Sequence, residues 1–289
     1  MKNRIRDIHW IEKSKLVDSL FDQSATLTVV PMNSGLEAEV EKISIPEFCA
    51  VLKVWNRTSK PNVELQYKLL DTLHSRGLPV SQPLGWGFDK EMNPVLLTSF
   101  DGFPVVKVNP SLLTTLTKLL TEIHRFPVKE FDPALLRKHD FIRYFYPAID
   151  DHHDIKNLLE HLVQNSGMKQ DKMIHGDFNL RNVLDAGGKY TIIDWTNVQL
   201  GDPRYDIAWS VVLMRIYVGQ RYGSLYLRSF LSEEPYTMEE LELYEAIACL
   251  RWILLNRTAE LPKGKDTFKR VKNILKSNKY LNENLLNSM

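Results

Sequence analysis

The sequence lacks the features of several large classes of protein. Cysteine is scarce: the 289 residues include only Cys49 and Cys249, which lie far apart, and no Cys-x-x-Cys pair occurs. This argues against a disulfide framework and is typical of buried thiols in a reducing compartment. No uninterrupted apolar run approaches the roughly 18 residues that a membrane span needs, and the N-terminal MKNRIRDIHWIEK has no apolar segment of the signal-peptide type. We therefore expect a cytoplasmic protein with no membrane span.

An excess of charge of either sign is also absent. Lysine and arginine total 37, and aspartate and glutamate total 36, which leaves a formal net charge of +1. This balance argues against a nucleic-acid-binding protein, since such proteins neutralise many phosphates with basic residues. The length allows one large domain or two smaller ones. A chain of this size can bury about 75% of its unfolded surface, so a full hydrophobic core is feasible.

The most informative stretch is Met173–Trp195, MIHGDFNLRNVLDAGGKYTIIDW. Its pattern predicts a short strand, a polar loop, and then a β-hairpin with a glycine-containing turn. Asp177 lies two residues after His175, Asn182 five residues further on, and Asp194 twelve residues after that. Phosphoryl transfer needs such a set: an acid that accepts or orients the proton of the attacking hydroxyl, and oxygen ligands that hold Mg²⁺ against the nucleotide phosphates.

This stretch resembles the catalytic core of the aminoglycoside phosphotransferase and choline kinase family, whose members are relatives of the protein kinases. The protein-kinase loop is His-Arg-Asp-x-x-x-x-Asn, followed by Asp-Phe-Gly. Here HGDFNLRNVL has Gly176 in place of Arg, and IIDW has Ile-Asp-Trp in place of Asp-Phe-Gly, as in the small-molecule branch. The resemblance implies an α+β, bilobal protein-kinase-like fold with a small antiparallel β-sheet N-terminal lobe and a larger, mostly helical C-terminal lobe.

The resemblance also implies how the chain is divided. Residues 1–103 would form the N-terminal nucleotide-binding lobe, with a hinge near residues 99–103. Residues 104–289 would form the C-terminal lobe, which carries the catalytic loop and the acceptor site.

By the same resemblance, Asp177 is the catalytic residue, Asn182 and Asp194 are the Mg²⁺ ligands, and ATP or GTP is the co-substrate. Only a short loop separates Asp194 from Gly201, where protein kinases have a long activation segment. This short connection favours a small-molecule acceptor over a protein substrate.

Three β-rich segments precede the first long helix and resemble the first strands of the N-terminal lobe: Ala25–Met32, Val40–Ile45 and Phe48–Trp55. Between the first two lies the turn NSGLEA. Its Ser34 and Gly35 are the candidates that would cover the phosphates with backbone N–H groups. The strand Val95–Ser99, followed by Phe100, resembles the hinge, where an adenine ring would hydrogen-bond to the backbone. Ser99 and Phe100 are therefore assigned to nucleotide binding.

A lysine and a glutamate complete the predicted nucleotide site. Lys53 stands in AVLK, which is similar to the protein-kinase Val-Ala-Ile-Lys, whose lysine pairs with the α- and β-phosphates. The alternative is a lysine on a solvent-facing strand position. A helix predicted between Pro61 and Gly77 carries Glu64 in its first turn, and Glu64 is the candidate partner of Lys53. The alternative is that Glu64 only favours the helix N-terminus.

Four features of the predicted C-terminal lobe are open to structural interpretations. His124, near the end of a predicted helix, is interpreted as a structural histidine. Asp206 resembles a family aspartate that hydrogen-bonds the catalytic-loop backbone, or else it caps a helix. The acidic run EEPYTMEELELYEA would suit a polycationic aminoglycoside, although such a run is usually a solvated face. AIDDHHD is interpreted as a solvated turn, because metal sites need ligands that converge from separate positions.

Together these observations predict a Mg²⁺-dependent kinase that transfers the nucleotide γ-phosphate to a hydroxyl of an aminoglycoside-like or other small-metabolite acceptor. The predicted partners are a nucleotide and that acceptor, and no nucleic acid. The alternatives are a catalytically inactive, nucleotide-binding pseudokinase and a pure interaction module.

Overall fold

The computed structural model describes residues 5–22, 27–32, 38–56 and 61–286. The chain divides into two compact units. One comprises Met1–Pro104 and Val183–Thr196, and the other comprises Val105–Asn182 and Asn197–Met289. Ser34 and Gly35 lie outside the described residues, so the predicted phosphate-covering turn stays a prediction.

The first unit contains an antiparallel sheet that has six strands among the described residues, in the spatial order β1-β5-β6-β4-β3-β2. The strands are β1 (His9–Lys13), β2 (Thr28–Pro31), β3 (Glu39–Ile45), β4 (Phe48–Val54), β5 (Pro83–Phe88) and β6 (Pro94–Ser99).

Strand β4 shows how the sequence gives this sheet two different faces. Ala50, Leu52 and Val54 are buried, whereas the residues that alternate with them, including Lys53, are half-buried. Successive side chains of a strand point to opposite faces. The buried set belongs to an apolar cluster that also includes side chains of helix α1 (Lys15–Asp22). Lys53 therefore lies on the face that this cluster does not use.

Helix α2 (Val63–Ser75) follows the strands, close to the predicted bounds. Asn62 caps its start, since its Oδ1 accepts a hydrogen bond from the backbone N–H of Leu65 at 3.0 Å. Gly77, with a φ of 85°, follows the helix end, a backbone conformation that glycine adopts without strain.

The predicted hairpin after the polar loop is confirmed. Strands β9 (Val183–Asp185) and β10 (Tyr190–Ile192) pair antiparallel, and the short strand β7 (Phe103–Pro104) pairs with the other edge of β9. The turn is closed by Asp185, whose Oδ1 accepts a hydrogen bond from the Gly188 backbone N–H at 2.7 Å. This hairpin belongs to the first unit.

The second unit is mostly helical. Its helices are α3 (Pro110–His124), α4 (Phe141–Phe145), α5 (His153–Asn165), α6 (Pro203–Tyr217), α7 (Gln220–Glu233), α8 (Met238–Thr258) and α9 (Thr267–Ser277), and its strands are β8 (Lys172–Ile174) and β11 (Gln199–Gly201).

Helices α6 and α8 form the centre of this unit, and most side chains in the middle of each are buried. Cys249, on α8, is fully buried, and burial raises the pKa of its thiol to about 12. Within the described part of the chain, no helix has both the length and the apolarity to cross a membrane. The antiparallel sheet near the N-terminus and the helical C-terminal part confirm the predicted α+β fold class.

Asp202 anchors the start of α6 and is only 3% exposed. Its carboxylate accepts hydrogen bonds from the backbone N–H groups of Arg204 and Lys169 at 3.0 and 2.9 Å. It also accepts hydrogen bonds from the Arg204 guanidinium and from the Tyr244 hydroxyl. One buried carboxylate therefore joins the helix cap to two other segments of the unit.

We predict that Asp202→Ala lowers the free energy of unfolding by about 3–5 kcal/mol, because it removes the buried carboxylate that accepts hydrogen bonds from the Arg204 guanidinium, the Tyr244 hydroxyl and two backbone N–H groups. Chemical denaturation followed by circular dichroism measures this loss. The control is Asp132→Ala, which removes an exposed turn carboxylate bonded to the Ala134 N–H and should change stability by less than about 0.5 kcal/mol. Equal stability of Asp202→Ala and the wild type would contradict the anchoring role.

Candidate active site

The structure brings two of the predicted site residues together in the loop that follows β8. The side-chain amide nitrogen of Asn182 lies 3.2 Å from Oδ2 of Asp177 and donates to the Asp177 backbone carbonyl at 2.9 Å. Because Nδ2 faces Asp177, Oδ1 is the atom that Asn182 has to offer a cation. The loop therefore presents one carboxylate and one amide oxygen, which are the ligand types that Mg²⁺ prefers.

A buried aspartate on α6 holds this loop in place. Oδ2 of Asp206 accepts hydrogen bonds from the His175 backbone N–H at 2.8 Å and interacts with Nε2 of His124 at 3.1 Å, while Oδ1 accepts from the Gly176 backbone N–H at 2.9 Å. The predicted supporting role of Asp206 is confirmed. The helix-cap alternative is wrong, since Asp202 caps α6. The structural role predicted for His124 is confirmed as well.

The pKa of Asp206 reflects competing effects. Complete burial alone would raise it, because a buried carboxylate loses hydration. The hydrogen bond and electrostatic attraction of His124, together with those of His175, outweigh this effect and lower the pKa of Asp206 below its ordinary value.

Glycine is required at position 176, where the protein-kinase loop has arginine. Gly176 has a φ of 77°, and a Cβ built there would lie 2.6 Å from the backbone oxygen of Asn197. Strand β11, which begins two residues after Asn197, pairs with β8 and fixes this close approach. A side chain would therefore strain the backbone and force the two segments apart.

Two residues that the sequence analysis did not single out also contact the loop. The indole Nε1 of Trp209, on α6, donates to Oδ1 of Asp177 at 2.8 Å. Arg251, on α8, donates from Nη1 to the Gly176 carbonyl at 2.8 Å and to the Tyr205 hydroxyl at 3.0 Å. The available signal was an arginine inside the apolar run ACLRWILL, since a buried charge is costly unless it has specific partners.

Asp194 belongs to the first unit and follows β10. It is a non-glycine residue with a φ of 64°, a region that such residues seldom occupy and that carries a strain of order 1 kcal/mol. Its Oδ1 accepts a hydrogen bond from the Thr196 hydroxyl at 3.0 Å. Strained backbone of this kind is concentrated at functional sites, which supports a functional role for this half-buried carboxylate.

The predicted pair between Lys53 and Glu64 is wrong for this structure. Lys53 lies opposite Val40 and Leu96 in the sheet. Glu64 instead accepts a hydrogen bond from Lys68 at 2.5 Å, one helical turn further along α2, and both side chains are substantially exposed. The reason is local, because residues four apart on a helix are neighbours. Among the described residues, Lys53 and Glu64 do not form an ion pair.

Ser99 and Phe100 lie at the end of β6 with their backbone N–H groups already engaged. The Ser99 N–H donates to the Gln82 carbonyl at 2.9 Å, and the Phe100 N–H donates to the Cys49 carbonyl at 3.1 Å. A nucleobase therefore cannot use these two donors without breaking those bonds. The Phe100 ring is covered by the Lys42 ammonium, which lies 3.9 Å from the ring centroid.

The acidic run on α8 is neutralised within the chain. Glu239 and Glu242 face Lys279, Glu240 pairs with Arg204, and Glu245 pairs with Arg215 in the protein interior. Burial raises the pKa of Glu245 to about 7 despite the Arg215 charge. These partners support the structural interpretation of the run over a surface for a polycationic acceptor.

The AIDDHHD segment also has internal partners. Asp150 pairs with Lys156, and Asp154 pairs with Arg257. Over the ranges that the structure describes, no three histidine, cysteine or acidic side chains are grouped as a metal site would require.

Comparison with known proteins places this geometry in context. The model of the family described as "Phosphotransferase enzyme family" matches residues 28–244, which is more than half of the chain. A comparison with curated proteins found no match.

Solved structures share the fold at low sequence identity. Amicoumacin kinase hAmiN, in complex with AMP-PNP, Ca²⁺ and Ami, aligns with a TM-score of 0.64 at 14% identity, over 94% of this chain and 97% of that one. A thermostable mutant of aminoglycoside phosphotransferase APH(4)-Ia, in the apo form, gives 0.63 at 17% identity, over 90% and 98%. Spectinomycin phosphotransferase APH(9)-Ia, with ADP and spectinomycin, gives 0.54 at 15% identity, over 93% of each chain.

The lowered pKa of Asp206 gives a pH-dependent prediction. Asp206→Asn removes the charge that His124 and the loop N–H groups stabilise, and it should lower the free energy of unfolding at neutral pH by about 3 kcal/mol. Because the folded-state pKa is depressed, the wild-type advantage is fully present above the ordinary carboxyl pKa of about 4 and is lost as the pH falls through the folded-state pKa.

Urea denaturation of both proteins between neutral and acidic pH measures this advantage. Asp140→Asn, which changes an exposed carboxylate that caps α4, is the control and should leave the stability unchanged, since asparagine caps equally well. An Asp206→Asn deficit that stays constant down to the lowest pH would contradict the assigned cause.

Proposed function

The chain belongs to the phosphotransferase enzyme family, and from this premise we propose that it is a small-molecule kinase that transfers the γ-phosphate of ATP or GTP to a hydroxyl acceptor in a Mg²⁺-dependent reaction. The acceptor we propose is an alcohol group of an aminoglycoside-like compound or another small metabolite. The observation that carries the proposal is the Asp177 carboxylate, held by donors from Trp209 and Asn182 on a loop anchored by Asp206.

In the proposed reaction, Asp177 hydrogen-bonds the acceptor hydroxyl and receives its proton as the acceptor oxygen bonds to the γ-phosphorus. The bond from that phosphorus to the β–γ bridging oxygen breaks, and ADP or GDP leaves. The transition state of phosphoryl transfer is loose, so orientation contributes more than proton removal. A carboxylate with both oxygens engaged by fixed donors suits this task, because it cannot rotate freely away from the acceptor.

Asn182, through Oδ1, and Asp194 would hold Mg²⁺, since amide and carboxylate oxygens are suitable donors for this cation. The cation would neutralise charge on the nucleotide phosphates. Lys53 would pair with the α- and β-phosphates, as in the protein-kinase motif. The nucleotides and Ca²⁺ bound in the structures of related proteins support a nucleoside triphosphate as donor and a divalent cation as its partner.

One observation favours a second candidate function. Active protein kinases require the lysine–glutamate pair of the N-terminal lobe, and Glu64 contacts Lys68 instead of Lys53. The alternative is therefore a nucleotide-binding module without turnover. A thermal-shift titration with Mg-ATP and Mg-GTP, run beside a phosphorylation screen of aminoglycosides, macrolides, choline and sugar-like metabolites, separates the two: a shift without turnover favours the inactive module.

We predict that Asp177→Ala lowers kcat by about 10²–10⁴-fold while the chain still binds nucleotide, because the change removes the group that orients the acceptor and none of the proposed phosphate contacts. Release of ADP or GDP with an acceptor from the screen measures turnover. Asp185→Ala, in the hairpin turn of the same sequence stretch, is the matched control and should keep wild-type kcat. Full turnover by Asp177→Ala would reject the assigned role.

The proposed metal role of Asp194 has its own test. Asp194→Asn removes the carboxylate charge while retaining a residue type that tolerates the left-handed backbone. We expect the Mg²⁺ concentration needed for half of the ATP-induced Tm shift to rise at least about 10-fold, the loss expected when a ligand or its close support is weakened. If Asp194→Asn keeps the wild-type Mg²⁺ dependence, Asp194 is not a ligand.

A further inference from the structure

We infer that Trp209 and Arg251 are positioning residues that hold the Asp177 carboxylate in a single orientation for phosphotransfer. The inference rests on the proposed function, in which Asp177 meets the acceptor hydroxyl. Neither side chain is assigned a contact with substrate. We call the two residues the Trp209–Arg251 clamp.

Trp209 acts on the carboxylate directly. Its Nε1 donates to Oδ1 of Asp177 at 2.8 Å, while Nδ2 of Asn182 faces the other oxygen at 3.2 Å. The two donors come from different parts of the unit, a helix and the loop itself. With one donor on each oxygen, rotation of the carboxylate would break a charge-assisted hydrogen bond, the stronger kind. Trp209 is only 3% exposed, so water does not readily replace its N–H.

Arg251 holds the Trp209 ring in place. The centre of its guanidinium lies 4.2 Å from the centroid of the Trp209 ring and 4.5 Å from that of the Phe145 ring, so the cation lies over two aromatic faces. The same guanidinium donates to the Gly176 carbonyl at 2.8 Å. Arg251 therefore fixes both the ring that holds Asp177 and the peptide next to Asp177.

The chemistry of these contacts argues for function over stability. Arg251 is 7% exposed, and its guanidinium donates hydrogen bonds to a backbone carbonyl and a phenol instead of a carboxylate. Its Nε is buried without a hydrogen-bond partner. A well-packed apolar residue would stabilise a helical core at least as well. The hydrogen bond to Gly176 and the stacking on Trp209 both act on the loop that carries the proposed catalytic residue.

Trp209→Phe is the sharpest test, because it keeps an aromatic ring beside Arg251 and removes the indole N–H, while the control below matches the loss of ring volume. We expect kcat to fall about 10–100-fold, the range for one hydrogen bond to a charged group, while the KM for nucleotide stays within about twofold of wild type. Turnover is followed as phosphate transferred from Mg-ATP or Mg-GTP to the acceptor found in the screen, and also as inorganic phosphate released to water.

The matched control is Trp252→Phe. Trp252 is fully buried on α8, beside Arg251 in sequence, and its Nε1 donates to the Tyr217 hydroxyl at 3.1 Å, away from the loop. It should lose stability but keep kcat per folded molecule. At position 251, Arg251→Lys should retain more kcat than Arg251→Met, since the lysine restores the charge without the planar stacking. A purely structural role predicts that the two tryptophan variants behave alike and that Lys and Met are equivalent.

A readout without turnover separates this inference from the proposed function. In a ¹H–¹⁵N spectrum, the indole signal that disappears in Trp209→Phe should shift in Asp177→Ala, while the Trp252 signal should not. An unshifted Trp209 signal overturns the clamp. If the wild-type protein shows no phosphotransfer, the proposed function and the catalytic role of the clamp are both overturned, even if the signal shifts. Phosphotransfer by the wild type with an unchanged kcat in Trp209→Phe overturns the clamp alone.

Discussion

The buried carboxylate of Asp206 is the interaction on which the proposed active site depends. The loop after β8 begins with buried backbone, and buried N–H groups must be held by specific hydrogen bonds. Asp206 supplies acceptors for two consecutive N–H groups, those of His175 and Gly176, and Nε2 of His124 contacts the same carboxylate at 3.1 Å. Because α6 is packed against α8 in the centre of the unit, these hydrogen bonds attach the loop backbone to a well-packed core.

Around this anchor lie further buried polar groups of the same two helices. Asp202 joins the start of α6 to other segments. Trp209, one turn after Asp206, donates a hydrogen bond to the Asp177 carboxylate, and Arg251 on α8 donates one to the Gly176 carbonyl. Spacings of three and four residues put side chains on one face of a helix, which explains why Asp202, Asp206 and Trp209 all serve the region of β8 and its loop. The free-energy cost of burying these polar groups is offset by hydrogen bonds that support the loop.

Contacts between residues close together in the sequence could be predicted, whereas contacts that depend on how the helices pack could not. Asp177 and Asn182 are five residues apart in one loop, so their meeting needs no knowledge of the tertiary fold, and the hairpin after them follows from alternating apolar residues and a glycine turn. Trp209 and Arg251 are 32 and 75 residues from their loop partners, and only the packing of α6 and α8 decides what they contact. The Lys53–Glu64 prediction failed for a related reason. A contact between a strand and a helix depends on tertiary packing, whereas Glu64 and Lys68 are four residues apart on one helix and form an ion pair there.

The contrast between the two cysteines has a practical consequence. Cys249 is fully buried with a strongly raised pKa, so it offers almost no thiolate to an alkylating reagent. Cys49 is half-buried on β4, where its thiol donates to the Ser44 hydroxyl at 3.3 Å, and alternation along the strand puts it on the same sheet face as Lys53. A fluorophore or spin label should therefore attach selectively to Cys49, without any engineered cysteine. The label would lie on the face of the sheet that carries Lys53, the proposed phosphate-binding residue.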